Sequence, residues 1–538
     1  MYQCSNCGSG LKYDITSGKL LCNHCASYFN PYSIDRESDG YEDGYFEATH
    51  FVCPQCGGEI LSTDNAAAGF CSYCGASTIL TSRISKELRP GRIVPFKITK
   101  EQCHDIFKKR MRKAIFAPRA FKNVSSIQGF RGIYMPYWLY RTRQNSNVKV
   151  KGSKHYSQGN YSITDYYDIT AYINAEYNGF YYDASSSFYD NISEQLAPFD
   201  FKDAIDFAPS FYSGFYADIP DVPREVYEDD AIEESFEATF ETFFSDNKLR
   251  NMNVNGKENQ NIIKGQLNTQ CDMAQGVMLP VWFMSYRAGN RVAYATINGQ
   301  NGKIVTDIPV DKKKYIASSI IMAIPIFILL NFLFTVLPSV TLSITSVLAA
   351  ITSIILYNEM SSIYKKENNI DDKGLAWAKK NIKLGRRSTD KSNGSIISKI
   401  IVFLVVAVFV LPFCFHAIPI MIDLLVEFFG TNISRVILKT AVSIISVFVS
   451  FICFINSKNK FKGLDVRGKH IYFVPVVSSI IASGILMINP VSDIFYYIGA
   501  LISIISVITV FMAIIGNYNI LCMRYLPQFD KQGGDDNA

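Results

Sequence analysis

Four Cys-x-x-Cys pairs crowd the first 74 residues, and their spacing constrains the fold more than any other feature of the chain. Cys4-x-x-Cys7 is followed after fourteen residues by Cys22-x-x-Cys25, and Cys53-x-x-Cys56 after fourteen by Cys71-x-x-Cys74, so one module occurs twice at an offset of 49. Each pair suits a tight knuckle with two thiolates in one concavity, and the residues between form a hairpin that returns the second pair to complete a tetrahedron. Gly8, Gly57 and Gly75 follow the second cysteine of their pairs, where positive φ lets backbone N–H groups turn towards sulfur; Ala26 stands at the fourth such place. The matched quartets predict two ribbons, each holding a structural Zn2+ ion, through Cys4, Cys7, Cys22 and Cys25 and through Cys53, Cys56, Cys71 and Cys74. Disulfides and iron–sulfur ligation are the alternatives. With four protein ligands neither ion keeps a place for water, so hydrolytic chemistry is not expected. His24, next to Cys25, reads as a surface residue.

A chain of 538 residues exceeds what one core can serve. Its mean hydropathy of +0.09 conceals a split near residue 311. Residues 1–91 carry 6 basic and 10 acidic groups, residues 92–310 carry 25 of each, and residues 311–538 carry 22 and 13. Apolar runs near 315–336, 338–357, 400–422, 436–456, 471–488 and 495–518 predict six membrane spans. The stretch before the first span and the connections at 358–399 and 457–470 hold three, ten and five Lys/Arg, and the tail holds two; the alternate connections hold one in all. That asymmetry predicts cytoplasmic amino and carboxyl termini in an inner (plasma) membrane, which suits reduced cysteines, and no signal peptide precedes Cys4. His416 is the one polar candidate well inside a span, Asp423, Glu427 and Arg435 fall near span ends, and Pro325, Pro412 and Pro419 suit kinks. Ser478, Ser479, Ala482, Ser483 and Gly484 supply a small surface for close helix packing.

Between ribbons and spans, Thr99-Lys100-Glu101-Gln102 is a capping box that opens an amphipathic helix through Ile106, Phe107, Met111, Ala114 and Ile115, stopped by Ala117-Pro118. Its other face holds Lys108, Lys109, Arg110, Arg112 and Lys113, suited to a solvated face, lipid or nucleic acid. Tyr- and Thr-rich segments from about Ile133 predict antiparallel strands, and Asn298-Gly299-Gln300-Asn301-Gly302 predicts a hairpin turn. Met135-Pro136-Tyr137-Trp138 resembles Leu279-Pro280-Val281-Trp282, suggesting two related strands, each entered through a proline and anchored by a buried tryptophan. Phe236, Phe240 and Phe243 fit one helix face. Phosphate-binding, dinucleotide and hydrolase motifs are missing, His104 and His155 are isolated, Cys103 has no identifiable partner, and no enzyme activity is expected.

The expected fold is multi-domain: zinc ribbon 1 (1–30), an acidic linker (31–47), zinc ribbon 2 (48–80), a cytoplasmic α+β domain with antiparallel sheet (92–310), an all-α six-helix transmembrane bundle (311–525) and a polar tail (526–538). The acidic linker opposes a phosphate backbone, which disfavours nucleic acid and favours a protein partner on the cytoplasmic side. The tandem quartets, Ile93-Val94-Pro95-Phe96, Tyr134-Met135-Pro136-Tyr137-Trp138, Leu279-Pro280-Val281-Trp282 and Asn298-Gly299-Gln300-Asn301-Gly302-Lys303 together resemble a family of bacterial membrane proteins containing a transcription factor IIB-type zinc ribbon. The resemblance covers about residues 50–310, and its members are sometimes labelled as similar to a primosomal helicase, a motor whose nucleotide-binding loop is missing here. It implies an architecture and no established activity. The leading expectation is a docking adaptor at the membrane; the rivals are a transporter or channel regulated by its cytoplasmic domains and a membrane-tethered nucleic-acid binder.

Overall fold

A computed structural model describes residues 2–37, 45–62, 71–76, 81–119, 129–254, 256–272, 274–333, 337–368, 370–378, 432–461 and 471–525. The first ribbon is an antiparallel sheet of β1 (Leu11–Asp14), β2 (Lys19–Cys22) and β3 (Tyr28–Phe29). The expected acidic linker begins with a helix, α1 (Pro31–Glu37). Ile34 packs into the core, and Asp35, 3% exposed, accepts a 2.8 Å hydrogen bond from the Ser210 hydroxyl. A carboxyl with such a partner can be enclosed, so the acidic run is not uniformly a solvent-facing spacer. Residues 38–44 of it lie outside the described residues.

The second ribbon comprises β4 (Tyr45–Val52), β5 (Glu59–Ser62) and β6 (Thr81–Leu88), with β4 pairing both neighbours. The central region adds β7 (Arg92–Ile93), α2 (Lys100–Lys113), β8 (Arg131–Gln158), β9 (Tyr161–Asp183), α3 (Asp190–Leu196), β10 (Ile205–Asp206), β11 (Tyr216–Ala217), α4 (Glu228–Phe244), α5 (Lys257–Gln266), β12 (Thr269–Cys271), β13 (Gln275–Ala288), β14 (Arg291–Asn298) and β15 (Ile304–Thr306). Ribbon and central region share one sheet. Hydrogen bonding runs in the order β10-β7-β13-β8-β11-β5-β4-β6, with β9 and β12 on β8 and with β14 and β15 beyond β13. The boundary expected between 48–80 and 92–310 therefore does not divide the sheet. The reason is β11, whose Tyr216 and Ala217 pair with Ser62 and Leu61 and cover an edge that an isolated ribbon would leave open.

The two proline–tryptophan segments lie at the centre and pair with each other, Leu279 opposite Met135. Pro136 and Pro280 sit inside these strands, not at their starts, and Trp138 is only half-buried while Trp282 is enclosed. Lacking N–H groups, the prolines still offer carbonyls, which accept from Ala184 and Gly299 at 2.8 Å. Gly299 is required here: a Cβ would lie 2.6 Å from the Phe96 ring and 2.8 Å from Pro280. The β14–β15 hairpin forms at the expected turn. The capping box of α2 is reciprocal, Thr99 Oγ1 accepting from the Gln102 N–H and Gln102 Oε1 from the Thr99 N–H. β8 and β9 continue past the sheet as a ribbon closed at Gly159-Asn160. Phe236 and Phe240 of α4 and Ile263 of α5 pack with Val148, Val150 and Ile173 near its root, Phe243 joining at the margin.

The helical region comprises α6 (Lys312–Leu333), α7 (Pro338–Glu367), α8 (Lys373–Ala378), α9 (Asn432–Lys460), α10 (Phe473–Ile488) and α11 (Ile494–Leu521). Among the described residues three helices are long and apolar enough to cross a membrane: Pro338–Glu367, Thr440–Lys458 and Ile494–Leu521; Phe473–Ile488 is apolar but shorter. The expected span at 400–422, with Pro412, His416, Pro419, Asp423 and Glu427, lies outside the described residues. α7 runs ten residues past its expected end, because Met360 and Ile363 continue a buried face against Phe461, Tyr472 and Ile514. Ser478, Ser479, Ala482 and Ser483 are buried as a packing surface; Gly484 meets open space, and the close approach falls at Gly499, where a Cβ would lie 2.8 Å from Ile485.

Residues 311–525 are not self-contained. After α11 the chain adds β16 (Arg524–Tyr525) antiparallel to the start of β14. Arg291 of β14 pairs with Glu367 at 2.8 Å and donates to the Met523 carbonyl, and Asn519 exchanges two hydrogen bonds with the backbone of Val310. The segment after α7 also enters the sheet domain, where Leu375 is buried beside α3 and the Asp372 carboxylate accepts from the Asp190 and Leu375 N–H groups.

Candidate metal centre

Four knuckles share one backbone plan. The N–H of the first cysteine donates to the carbonyl five residues on (Cys4 to Ser9, Cys22 to Ser27, Cys53 to Gly58, Cys71 to Ala76), at 2.7–3.0 Å. The residue after the second cysteine donates back to the first cysteine's carbonyl at 2.8–3.0 Å. That residue is left-handed in all four, with φ of +70° at Gly8, +56° at Ala26, +70° at Gly57 and +68° at Gly75. The turn therefore selects glycine, and Ala26 adopts it against its own preference.

The knuckles bring the sulfurs of Cys4, Cys7, Cys22 and Cys25 within 4.8 Å of one another, and likewise those of Cys53, Cys56, Cys71 and Cys74. Cys4–Cys25 and Cys7–Cys22 are 3.5 Å apart, Cys53–Cys74 3.8 Å and Cys56–Cys71 3.7 Å. Four thiolates about 2.3 Å from a central zinc stand about 3.8 Å from each other, whereas a disulfide brings sulfurs to about 2.05 Å. Both quartets thus fit a tetrahedral zinc ion. Bound there, each zinc would tie two knuckles together, and the full protein coordination leaves it no substrate position.

The surroundings differ. In the first quartet Cys4 and Cys22 are buried and Cys7 and Cys25 exposed. Ser27 Oγ lies 3.3 Å from the Cys25 sulfur and receives Asn6 Nδ2 at 2.9 Å; the Ser27 contacts hold the Cys25 thiol down to about 6. All four cysteines of the second quartet are buried, enclosed by Phe51, Ile60, Tyr73 and Ala76. Tyr73 packs edge-on against Phe283, Tyr294 donates to its carbonyl at 2.8 Å, and Arg287 reaches Gln55 at 2.8 Å, so β13 and β14 form one wall of the site. Sequence reasoning missed Ser27 and this wall. The small residues Ser9, Ser27, Gly58 and Ala76, each two places past a second cysteine, were the available signal for the first; the wall depends on pairings remote in sequence.

The other candidates stay apart from both quartets. His24 is exposed, Cys103 is enclosed in the α2 core where burial pushes its thiol up, and the His155 ring sits between the Ser162 and Thr164 hydroxyls on the β8–β9 ribbon. The chain is 29% identical over 324 residues, 59% of its length, to a Bacillus subtilis (strain 168) protein described as uncharacterized protein YdjG, of which 92% is covered. No family model matches the chain. No solved structure matches it either.

Proposed function

We propose that this chain is a multi-pass protein of the bacterial inner membrane whose two zinc-stapled ribbons, fused to the central sheet, form a cytoplasmic head that docks a protein partner. The observation that carries the reading is the closure of both cysteine quartets: eight thiolates fill both coordination shells, so metal there holds a surface in shape and has no position for a reactant. The acidic excess of residues 1–91 opposes a phosphate backbone, which favours a protein over nucleic acid.

Six spans with both termini on the head side agree with the connectivity. α7 and α11 end beside β14, and Lys460 at the end of α9 donates to Ser361 near the end of α7 at 3.0 Å. α9 then starts on the far side, and the apolar run at 400–422, which lies outside the described residues, has the length of one span. The Lys/Arg asymmetry of the connections puts the head side in the cytoplasm. Cross-linking of the intact protein in cells tests the docking role: one protein recovered with the natural chain and lost with Cys7→Ser/Cys25→Ser supports it, and identical recovery from both overturns it.

A regulated transporter is the second reading. It is favoured by the hydroxyls enclosed among the helices, including Ser346, Ser503, Ser506 and the Ser443–Ser483 pair at 2.7 Å. Solute flux into vesicles reconstituted with the intact protein, absent from empty vesicles, would select it.

A further inference from the structure

The basic helix α2 ends where the helical region begins. The Asp311 N–H donates to the Phe116 carbonyl at 2.8 Å, and Lys314 Nζ donates to the Ala117 carbonyl at 2.9 Å. The Phe116 ring meets Tyr315 edge-on at 5.1 Å, and Tyr315 stacks on Phe511 of α11 at 6.3 Å. These contacts fix the carboxyl end of α2 beside the first turn of α6, where Lys312-Lys313-Lys314 and a tyrosine mark a typical membrane–water boundary.

At that end α2 exposes Lys108, Lys109, Arg110, Arg112 and Lys113, while Cys103, Phe107 and Met111 point into the sheet domain. Among the described residues none of the five cations takes part in an ion pair. The acidic groups of the helix, Glu101 and Asp105, lie in its first half. Just past the last turn Ile115 is 70% exposed. A cluster of cations with an exposed aliphatic side chain beside it, at the level of a helix end, is the pattern of a surface resting on acidic headgroups.

We infer that the carboxyl-terminal face of α2, Lys108 to Ile115, docks on the anionic phospholipid headgroups of the bilayer that the protein itself spans. Charge complementarity and position carry this choice. The residues that follow the face, Phe116 and Ala117, touch the start of α6, which puts the face next to the zone of about 8–10 Å over which headgroup charge acts, whereas a nucleic acid would have to approach past the same negative surface. The inference rests on the helices lying in a bilayer, not on the zinc sites or the docking role.

The intact protein in nanodiscs provides the test, with lysine acylation rates read by mass spectrometry. Failure to enter nanodiscs would refute the membrane reading itself and is seen separately. In discs with about 30% phosphatidylglycerol, Lys108, Lys109 and Lys113 should react about fivefold more slowly than in neutral discs, and about 1 M salt should abolish that difference. The exposed Lys149 and Lys151 on the β8–β9 ribbon should react equally in both. Equal rates at Lys108, Lys109 and Lys113 in both lipids overturn the inference. So does protection by a DNA duplex added to neutral discs without protection by anionic lipid, which would assign the face to nucleic acid.

Discussion

Ala26 carries a strain that three glycines avoid. Its φ of +56° matches Gly8, Gly57 and Gly75 at the same step of the knuckle, and a left-handed alanine costs about 1–2 kcal/mol. Ala26→Gly removes that strain and loosens the unfolded chain by about 0.4–1 kcal/mol, so a net gain of up to about 1.6 kcal/mol in first-ribbon stability is expected, read by chemical denaturation. The converse Gly57→Ala should lose about as much. The cysteines were legible because ligand spacing is local and the chemistry needs four of them. Enclosed carboxylates were not, since their burial depends on distant chain. Burial pushes Asp183, Asp218 and Asp372 above the usual carboxylate range, Asp218 to about 7, and for Asp183 and Asp372 the neighbouring Asp190 adds to it. With folded pKa values raised, the native head binds more protons than the unfolded chain. The contribution of these three carboxyls to stability is therefore full below the ordinary carboxylate pKa of about 4 and is lost as pH rises through about 7. The thermal midpoint should be lower at pH 8 than at pH 5.5, with part of the slope removed by Asp218→Asn; a midpoint that rises with pH contradicts the assignment.

At the scale of elements, the two quartets should release metal in sequence. Cys7 and Cys25 face solvent, whereas the second quartet is walled by Tyr73, β13 and β14. A chelator should strip one equivalent quickly and a second much more slowly; Cys7→Ser should abolish the fast phase and leave the slow one, and simultaneous release of both would contradict the burial difference. The joint between sheet and helices concentrates on Arg291, held by Glu367 and the Met523 carbonyl. Glu367→Ala removes one carboxylate partner of that largely enclosed cation, at a cost of up to about 3 kcal/mol. Hydrogen exchange should then quicken in β14 and β16, and unchanged protection would show that the pair is not part of the joint. The α2 capping box was plain in sequence because its partners stand three residues apart. β11 and β16 were invisible, since two-residue strands have no periodicity and exist only through the edges they cover.

Over the whole molecule, the division into a cysteine-rich start, a strand-rich middle and an apolar helical end could be read from composition and spacing. The joins could not. The sheet takes strands from the second ribbon, the middle region and Arg524–Tyr525, and the segment between α7 and α8 leads Leu375 into its core. Pieces expected to be linked by spacers are instead built through one another, so displacement of the ribbons would be felt at the ends of the helices. In the proposed reading, metal holds the four knuckles at the front of that arrangement. Elemental analysis of the intact protein, purified without added metal or chelator, tests this most directly. Two equivalents of zinc per chain, with all eight knuckle thiols reduced after denaturation, are expected; fewer than two equivalents, iron in place of zinc, or disulfides among these cysteines would contradict it.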